Sequence, residues 1–209
     1  EFKDKEELAR RACEIEIDVL DKPIGKQDQY ASAYGDLNYI KFYPDEEVAV
    51  DPIACSPETK KKLAEGLLLF YTGDDRDADE ILEDQKENTR DDGKNINNLE
   101  SMVGLADRAR KSLEANRIHG FGDLLHENWE MKRELSNKIS NPRIDKIYDI
   151  ARNSGAKGGK ILGAGGGGFF LFYCEREGKE KLRSTLEDEG LDELNFEFEH
   201  EGSKIIYTE

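Results

Sequence analysis

Two short stretches of this sequence carry residue types that can do chemistry. The first is Gly163-Ala164-Gly165-Gly166-Gly167-Gly168, which contains a G-x-G-x-x-G spacing. A dinucleotide-binding fingerprint needs a strand before such a loop and a helix after it, so that a pyrophosphate can sit on the helix N-terminus. Here the loop runs into Phe169-Phe170-Leu171-Phe172-Tyr173-Cys174, a strand-forming segment, which speaks against that unit. A P-loop is also excluded, because no Lys-Ser or Lys-Thr closes the run. What remains is a strand–glycine loop–strand element whose bare backbone can approach a ligand closely and offer N–H groups to an anion. A tight bend packed under a helix is the bland alternative, and consecutive glycines make it costly in entropy.

The second stretch is Ile24-Gly25-Lys26-Gln27-Asp28-Gln29-Tyr30. Asp28 falls at the start of a short helical segment, flanked by two amides and a lysine. Free N–H groups and the helix dipole would stabilise its charged form. Two readings stay open: an N-cap aspartate, or a general base or electrostatic anchor held by Lys26 and the glycine turn. Elsewhere the chemistry is thin. Cys13, Cys55 and Cys174 are scattered, have no C-x-x-C spacing and lack an adjacent base, as expected of reduced cytoplasmic thiols. His119 and His126 lie seven apart, which would let them share a helix face. No third ligand accompanies them, so they read as structural. Trp129 reads as core.

Composition narrows the classes further. The 209 residues hold 31 Lys+Arg against 47 Asp+Glu, a net charge of −16, which disfavours nucleic-acid backbones and anionic membrane surfaces. The longest apolar runs fall far short of the roughly 20 residues a bilayer requires. No signal-peptide pattern opens the sequence.

The elements that must position these residues follow from periodicity. Leu8, Ala12, Ile15 and Val19 predict an amphipathic helix over 4–20, ended by Pro23 and Gly25. A helical turn or two is expected at 27–34, a hairpin over 37–43 and 47–53, and a buried strand at 66–72. Residues 74–92 carry ten acids and read as a solvated helix face and loop. Further helices are expected at 96–115, 121–139 and 142–154, the last with Pro142 in its first turn. The second of these sets Leu124, Leu125, Trp129, Lys132 and Leu135 on one side. Strands at 159–163 and 169–174 flank the glycine loop, a charged helix follows at 177–189, and edge strands are expected near 194–199 and 203–207. The last 140 or so residues thus predict helices on one face of an antiparallel sheet, an α+β layout.

Taken with their order, the two stretches resemble the GHMP small-molecule kinases. Gly25-Lys26-Gln27-Asp28-Gln29-Tyr30-Ala31 and, far downstream, Lys160-Ile161-Leu162-Gly163 to Phe169 carry the likeness. Tyr71-Thr72-Gly73-x-x-Arg76, Leu124-Leu125-His126-x-x-Trp129-x-x-Lys132 and Gly155-Ala156-x-Gly158-Gly159-Lys160 extend it toward the heptose 7-phosphate kinase branch, which is similar to fucose kinases. The resemblance implies the remainder of a ribosomal-S5-domain-2-like catalytic domain over 1–55 and a ferredoxin-like C-terminal domain over 56–209. It implies ATP-dependent phosphoryl transfer to a sugar hydroxyl, the anomeric one, with Mg²⁺. Asp28 matches the catalytic aspartate. Glu16, with Glu14 and Asp18 close by, matches the acidic Mg²⁺ ligand. Gly163, Ala164, Gly165, Gly166, Gly167 and Gly168 match the phosphate-shaping motif. Lys26, Gln27, Gln29 and Tyr30 fall at the sugar site, and Arg76 and Lys160 are candidates for a substrate phosphate. Positioning and charge neutralisation suffice for such a transfer.

The departure from the family is an absence. Its earlier P-x-x-x-G-L-G-S-S-type motif, which cradles ATP phosphates, occurs nowhere in these residues. The expectation is that the segment carrying it lies upstream or in another chain, and that this stretch alone turns over no ATP. Fucose- and galactose-type kinases are alternative readings, as is a non-catalytic relative that kept ligand sensing. Retention of both Asp28 and the full glycine loop favours the enzyme.

Overall fold

In a computed structural model, residues 4–73, 78–91 and 93–204 are described. The chain divides into two compact units, one of residues 1–54 with 197–209, the other of residues 55–196.

The first unit begins with helix α1 (Lys5–Cys13), capped by Asp4, whose carboxylate accepts from the Glu7 N–H at 2.8 Å. A π-helical segment, Glu14–Val19, continues it. This segment changes the expected stripe. Leu20 N–H reaches back five residues to the Ile15 carbonyl at 3.0 Å, so each turn holds an extra residue and the helix face rotates. Ala9 and Cys13 therefore face the core, while Ile15 and Val19 are 54% and 71% exposed. Helix α2 (Gln27–Tyr34) comes next, then strands β1 (Asn38–Phe42) and β2 (Val48–Pro52), paired antiparallel with Ile40 opposite Val50. Ala9, Cys13, Tyr30 and Ala33 form the small core. The segment after residue 196 is bound here by its backbone: Asp36 N–H donates to the Glu199 carbonyl and Ser203 N–H to that of Ser32.

The second unit is α+β. Helix α3 (Pro57–Gly66), capped by Ser56, leads into β3 (Leu67–Tyr71). Helices α4 (Ala78–Asp91), α5 (Gly93–Glu114), α6 (Phe121–Arg133) and α7 (Pro142–Asn153) come next. Strands β4 (Ala156–Ile161) and β5 (Phe169–Cys174), helix α8 (Lys179–Asp188) and the short β6 (Asp192–Leu194) complete it. The four strands form one antiparallel sheet in the order β4-β5-β3-β6. Register places Leu68 opposite Phe172 and Phe70 opposite Phe170, so these side chains share one face. On it pack Trp129, Ile144, Ile147, Tyr148, Leu182 and Leu186, each no more than 3% exposed.

Four expectations shift. Helix α6 ends at Arg133 and not near 139, although Leu135 and Ile139 stay buried in the turns beyond it. Strand β4 begins at Ala156, earlier than its glycines suggest. Of the expected edge strands, Asp192–Leu194 pairs in the sheet, while 195–204 form no strand and 205–209 lie outside the described residues. His119 precedes α6, so it and His126 share no helix face.

Candidate active site

In the first unit the site is built around the N-terminus of α2. Lys26 occupies the N-cap position without a side-chain cap, so Asp28 lies inside the first turn and caps nothing. Gln27 and Asp28 are exposed. At this place unsatisfied N–H groups and the helix dipole favour a carboxylate. Lys26, expected to hold Asp28, instead ion-pairs with Glu46. Gln29 is 7% exposed and its Oε1 is buried without a hydrogen-bond partner, an acceptor that a hydroxyl donor could satisfy. Tyr30 is 2% exposed, and its hydroxyl donates to Glu6 Oε1 at 2.8 Å. Burial and the Glu6 carboxylate both hold the Tyr30 phenol protonated well above its ordinary range. A cleft of about 1500 Å³ in this unit is lined by Glu6, Arg10, Asp18, Lys26, Tyr30 and Glu46, among others.

Glu16 sits half-buried on the π-helical segment. Burial pushes the nearby Cys13 thiol up. Among the described residues no group of three or more His, Cys, Asp or Glu could hold a metal by itself. Mg²⁺ does not need one, since it takes one or two carboxylates and completes its shell with phosphate oxygens and water. Glu16 suits that role as an oxygen donor.

In the second unit the glycine loop joins β4 to β5. Gly163, Gly165, Gly166 and Gly168 all have positive φ, between +67° and +110°, which side-chain-bearing residues rarely adopt. The loop is seated on one side and open on the other. A Cβ at Gly165 would lie 2.9 Å from Ile139 backbone atoms, whereas at Gly163 or Gly168 it would meet nothing within 4 Å. Backbone bonds hold it: Leu162 N–H to Phe169 O at 2.9 Å, Gly166 N–H to Ile139 O at 2.7 Å, and Thr72 N–H to Gly168 O at 2.9 Å. Such a shape fits a phosphate cradle, with bare backbone facing the ligand.

Lys160 stands on β4 just before the loop and is half-buried; burial pushes its pKa down. Beside it lies a residue that the sequence marks as part of a helix side and as the end of a family-like motif, without a role. Lys132 on α6 is 9% exposed, and its ammonium donates to the carbonyls of Ile161, at 3.2 Å, and Gly163. Burial and the Lys160 charge push its pKa down to about 7. The signal was a lysine on the apolar side of an amphipathic helix. Arg76 lies outside the described residues. Trp129 is fully buried, and His126 Nδ1 lies 2.7 Å from the Tyr148 hydroxyl, so both are structural. The cysteines are free, with Cys13 and Cys174 buried. No helix of the described residues is long and apolar enough to cross a membrane.

Comparison with known proteins bears on this arrangement. Residues 109–191, which include α6, α7, β4, the glycine loop and β5, match the family described as GHMP kinases C terminal. The chain is 34% identical over 201 residues to D-glycero-alpha-D-manno-heptose 7-phosphate kinase of Campylobacter jejuni, covering 95% of this chain and 58% of that protein. It is 31% identical over 170 residues to the bifunctional fucokinase/GDP-fucose pyrophosphorylase of Arabidopsis thaliana, covering 78% of this chain and 16% of the relative. Among solved structures, a D-glycero-D-manno-heptose 1-phosphate kinase from Bacteroides thetaiotaomicron superposes with a TM-score of 0.67 at 26% identity, over 98% of this chain and 56% of that one. A Lactococcus lactis galactokinase complexed with galactose shares the fold, with a TM-score of 0.68 at 16% identity, over 97% of this chain and 61% of that one. The chain thus spans less than two thirds of each relative, and within that span it belongs to the GHMP kinase family.

Proposed function

We propose that this chain is part of an ATP-dependent sugar kinase that phosphorylates an anomeric hydroxyl, with D-glycero-D-manno-heptose 7-phosphate as the acceptor. The similarity to a heptose 7-phosphate kinase over 95% of the chain carries the reading. The site residues suit it. In the transfer the acceptor oxygen bonds to the γ-phosphorus, the bond from that phosphorus to the β-phosphate oxygen breaks, and ADP leaves. Asp28, exposed in the first turn of α2 and free of a capping role, takes the hydroxyl proton. Gln29 offers a sugar hydroxyl the buried acceptor it lacks. The open side of the glycine loop lets a phosphate approach bare backbone, with Lys160 and Lys132 supplying positive charge at its root. When bound, Mg²⁺ neutralises phosphate charge, and Glu16 is the donor this chain provides. Lys26 and Gln27 border the acceptor site.

The test is ADP release by the longest natural reading frame containing this sequence, supplied with ATP, Mg²⁺ and heptose 7-phosphate, fucose or galactose in turn. Turnover is expected on the heptose phosphate, and Asp28→Asn is expected to lower kcat by about 10²–10⁴-fold. Equal rates on free hexoses would discard the heptose phosphate in favour of the fucokinase and galactokinase relatives. No ADP release with any sugar would discard the kinase. The 209 residues alone are expected to release none, because no Gly/Ser-rich motif of the P-x-x-x-G-L-G-S-S type occurs in them.

A further inference from the structure

Lys132 is an expensive residue at its position. Most of the residues that α6 turns inward are apolar, and a methionine would fill the space without burying a charge. Its ammonium is committed to two carbonyls, those of Ile161, the last residue of β4, and Gly163, the first of the glycine loop. The loop's backbone anchors join its two ends, Leu162 N–H to Phe169 O, and hold its middle and closing end, through Ile139 and Thr72. Nothing else among the described residues is seen to hold the Gly163 carbonyl at the loop entrance. Helix α6 is itself pressed against β4 at Gly122 and Gly158, so the lysine ties the loop to a fixed support.

We propose that Lys132 is a positioning residue for the glycine loop: its charged ammonium locks the loop's first turn, and loss of its proton loosens that turn. A charged donor makes a hydrogen bond about twice as strong as a neutral one, so a neutral amine would keep the contact and weaken it. The surrounding charges leave the lysine uncompensated. Helix α5 offers Arg108, which is engaged by Glu127; on α6, Glu130 is taken by Arg133 and His126 by Tyr148 of α7. Strand β5 brings only Tyr173 and Cys174, both held protonated by burial, and β4 brings Lys157, which faces Glu175, and Lys160. Of these, only Lys160 acts on Lys132, and it repels. With burial, that repulsion puts the proton loss near neutrality.

The proposal goes beyond the kinase reading, and its test needs neither ATP nor sugar. Amide hydrogen exchange of the 209-residue chain is measured at Leu162 and Gly166 from pH 6 to 9, corrected for the intrinsic pH dependence of exchange. Loop protection is expected to fall about tenfold through neutrality, the size of one weakened charged hydrogen bond. Amides in β3 and α7 are expected to keep or gain protection over the same range, which a merely structural role for Lys132 would not produce. Lys132→Arg is expected to keep the loop protected with no step, because a guanidinium does not lose its proton. Lys132→Met is expected to leave it unprotected at every pH. Flat wild-type loop protection, or a step that survives in Lys132→Arg, would overturn the proposal even if Lys132→Met fails to fold. A failed kinase assay would not touch this result.

Discussion

Gly158 marks the place where α6 lies directly on β4, and replacing it with alanine should break that contact. A Cβ there would stand 1.9 Å from the Gly122 carbonyl oxygen and 2.8 Å from the His126 nitrogen. Ordinary C···O contacts are about 3.3 Å, so the helix would have to retreat by roughly 1.4 Å. It has little freedom to do so. Trp129 is fully buried, with ring centroids 5.8 Å from Phe170 and 6.0 Å from Tyr148, and Lys132 is tied to the glycine loop. Overpacking usually costs about 1–3 kcal/mol, and a clash of backbone with backbone belongs at the upper end. Alanine returns about 0.4–1 kcal/mol by restricting the unfolded chain, leaving a net loss near 2 kcal/mol. Trp129 is the sole tryptophan, so urea unfolding followed by its fluorescence reads the helix–sheet contact directly. The expected result is a lower midpoint, by about 1 M for a typical slope, and altered native emission. Gly104→Ala is the control. That glycine is exposed inside α5, a Cβ on it would meet nothing within 4 Å, and alanine should stabilise by up to about 1 kcal/mol. The same chemical change should therefore have opposite signs at the two sites. If Gly158→Ala unfolds within about 0.5 kcal/mol of wild type with unchanged emission, the close-packing account is wrong.

Stability should rise with pH above neutrality. Lys132 has a folded pKa of about 7 against an ordinary 10.5, so the folded state sheds this proton first and each further pH unit up to about 9 adds roughly 1 kcal/mol. Urea midpoints in wild type and Lys132→Met check this, and the variant should lose the slope. Above pH 9 the trend should reverse, because burial raises the Cys13 and Cys174 thiols and the unfolded chain then ionises them first. Tyr30→Phe removes the hydroxyl that donates to Glu6 from a core position and should cost about 1 kcal/mol, read from the urea midpoint with Asp28 left in place.

The legible parts of the fold were those with uninterrupted periodicity. The apolar run from Phe169 and the 3.6-residue repeats of α5 and α7 were found close to their bounds. The turn after α1 was not, because a π-helical segment leaves the pattern Leu8, Ala12, Ile15, Val19 intact on paper while rotating its second half into solvent. Strand β4 starts early because Gly158 and Gly159 are chosen for contact with α6 and Phe172, and strand propensity does not record such contacts. In the site, the glycine loop declared itself through the strand-forming run that succeeds it, Phe169 to Cys174. Asp28 was ambiguous between cap and base, and the structure removes only the first reading, because the N-cap position belongs to Lys26. Lys132 stood in the sequence as a misplaced charge closing a family-like motif, but its role was not legible, since its partners are carbonyls and carbonyls leave no trace in residue type.

The acidic surplus gives that misplaced charge its meaning. The sequence holds 47 acids against 31 Lys and Arg, and many of the cations pair with a carboxylate. Arg183 has Glu180 and Glu193, Lys138 has Glu80 and Asp84, Arg108 has Glu127 and Lys26 has Glu46. Lys132 instead faces two carbonyls and is repelled by Lys160, at the root of the glycine loop. Two cations packed together without a carboxylate weaken the fold, and an apolar pair would strengthen it. Such a local cost, kept beside a loop that is open on one side, is what a binding role would explain. An anion carrying more than one negative charge is what such a pair of cations would satisfy. On the proposed kinase reading, the phosphate would meet this loop in an acidic protein whose overall field repels it.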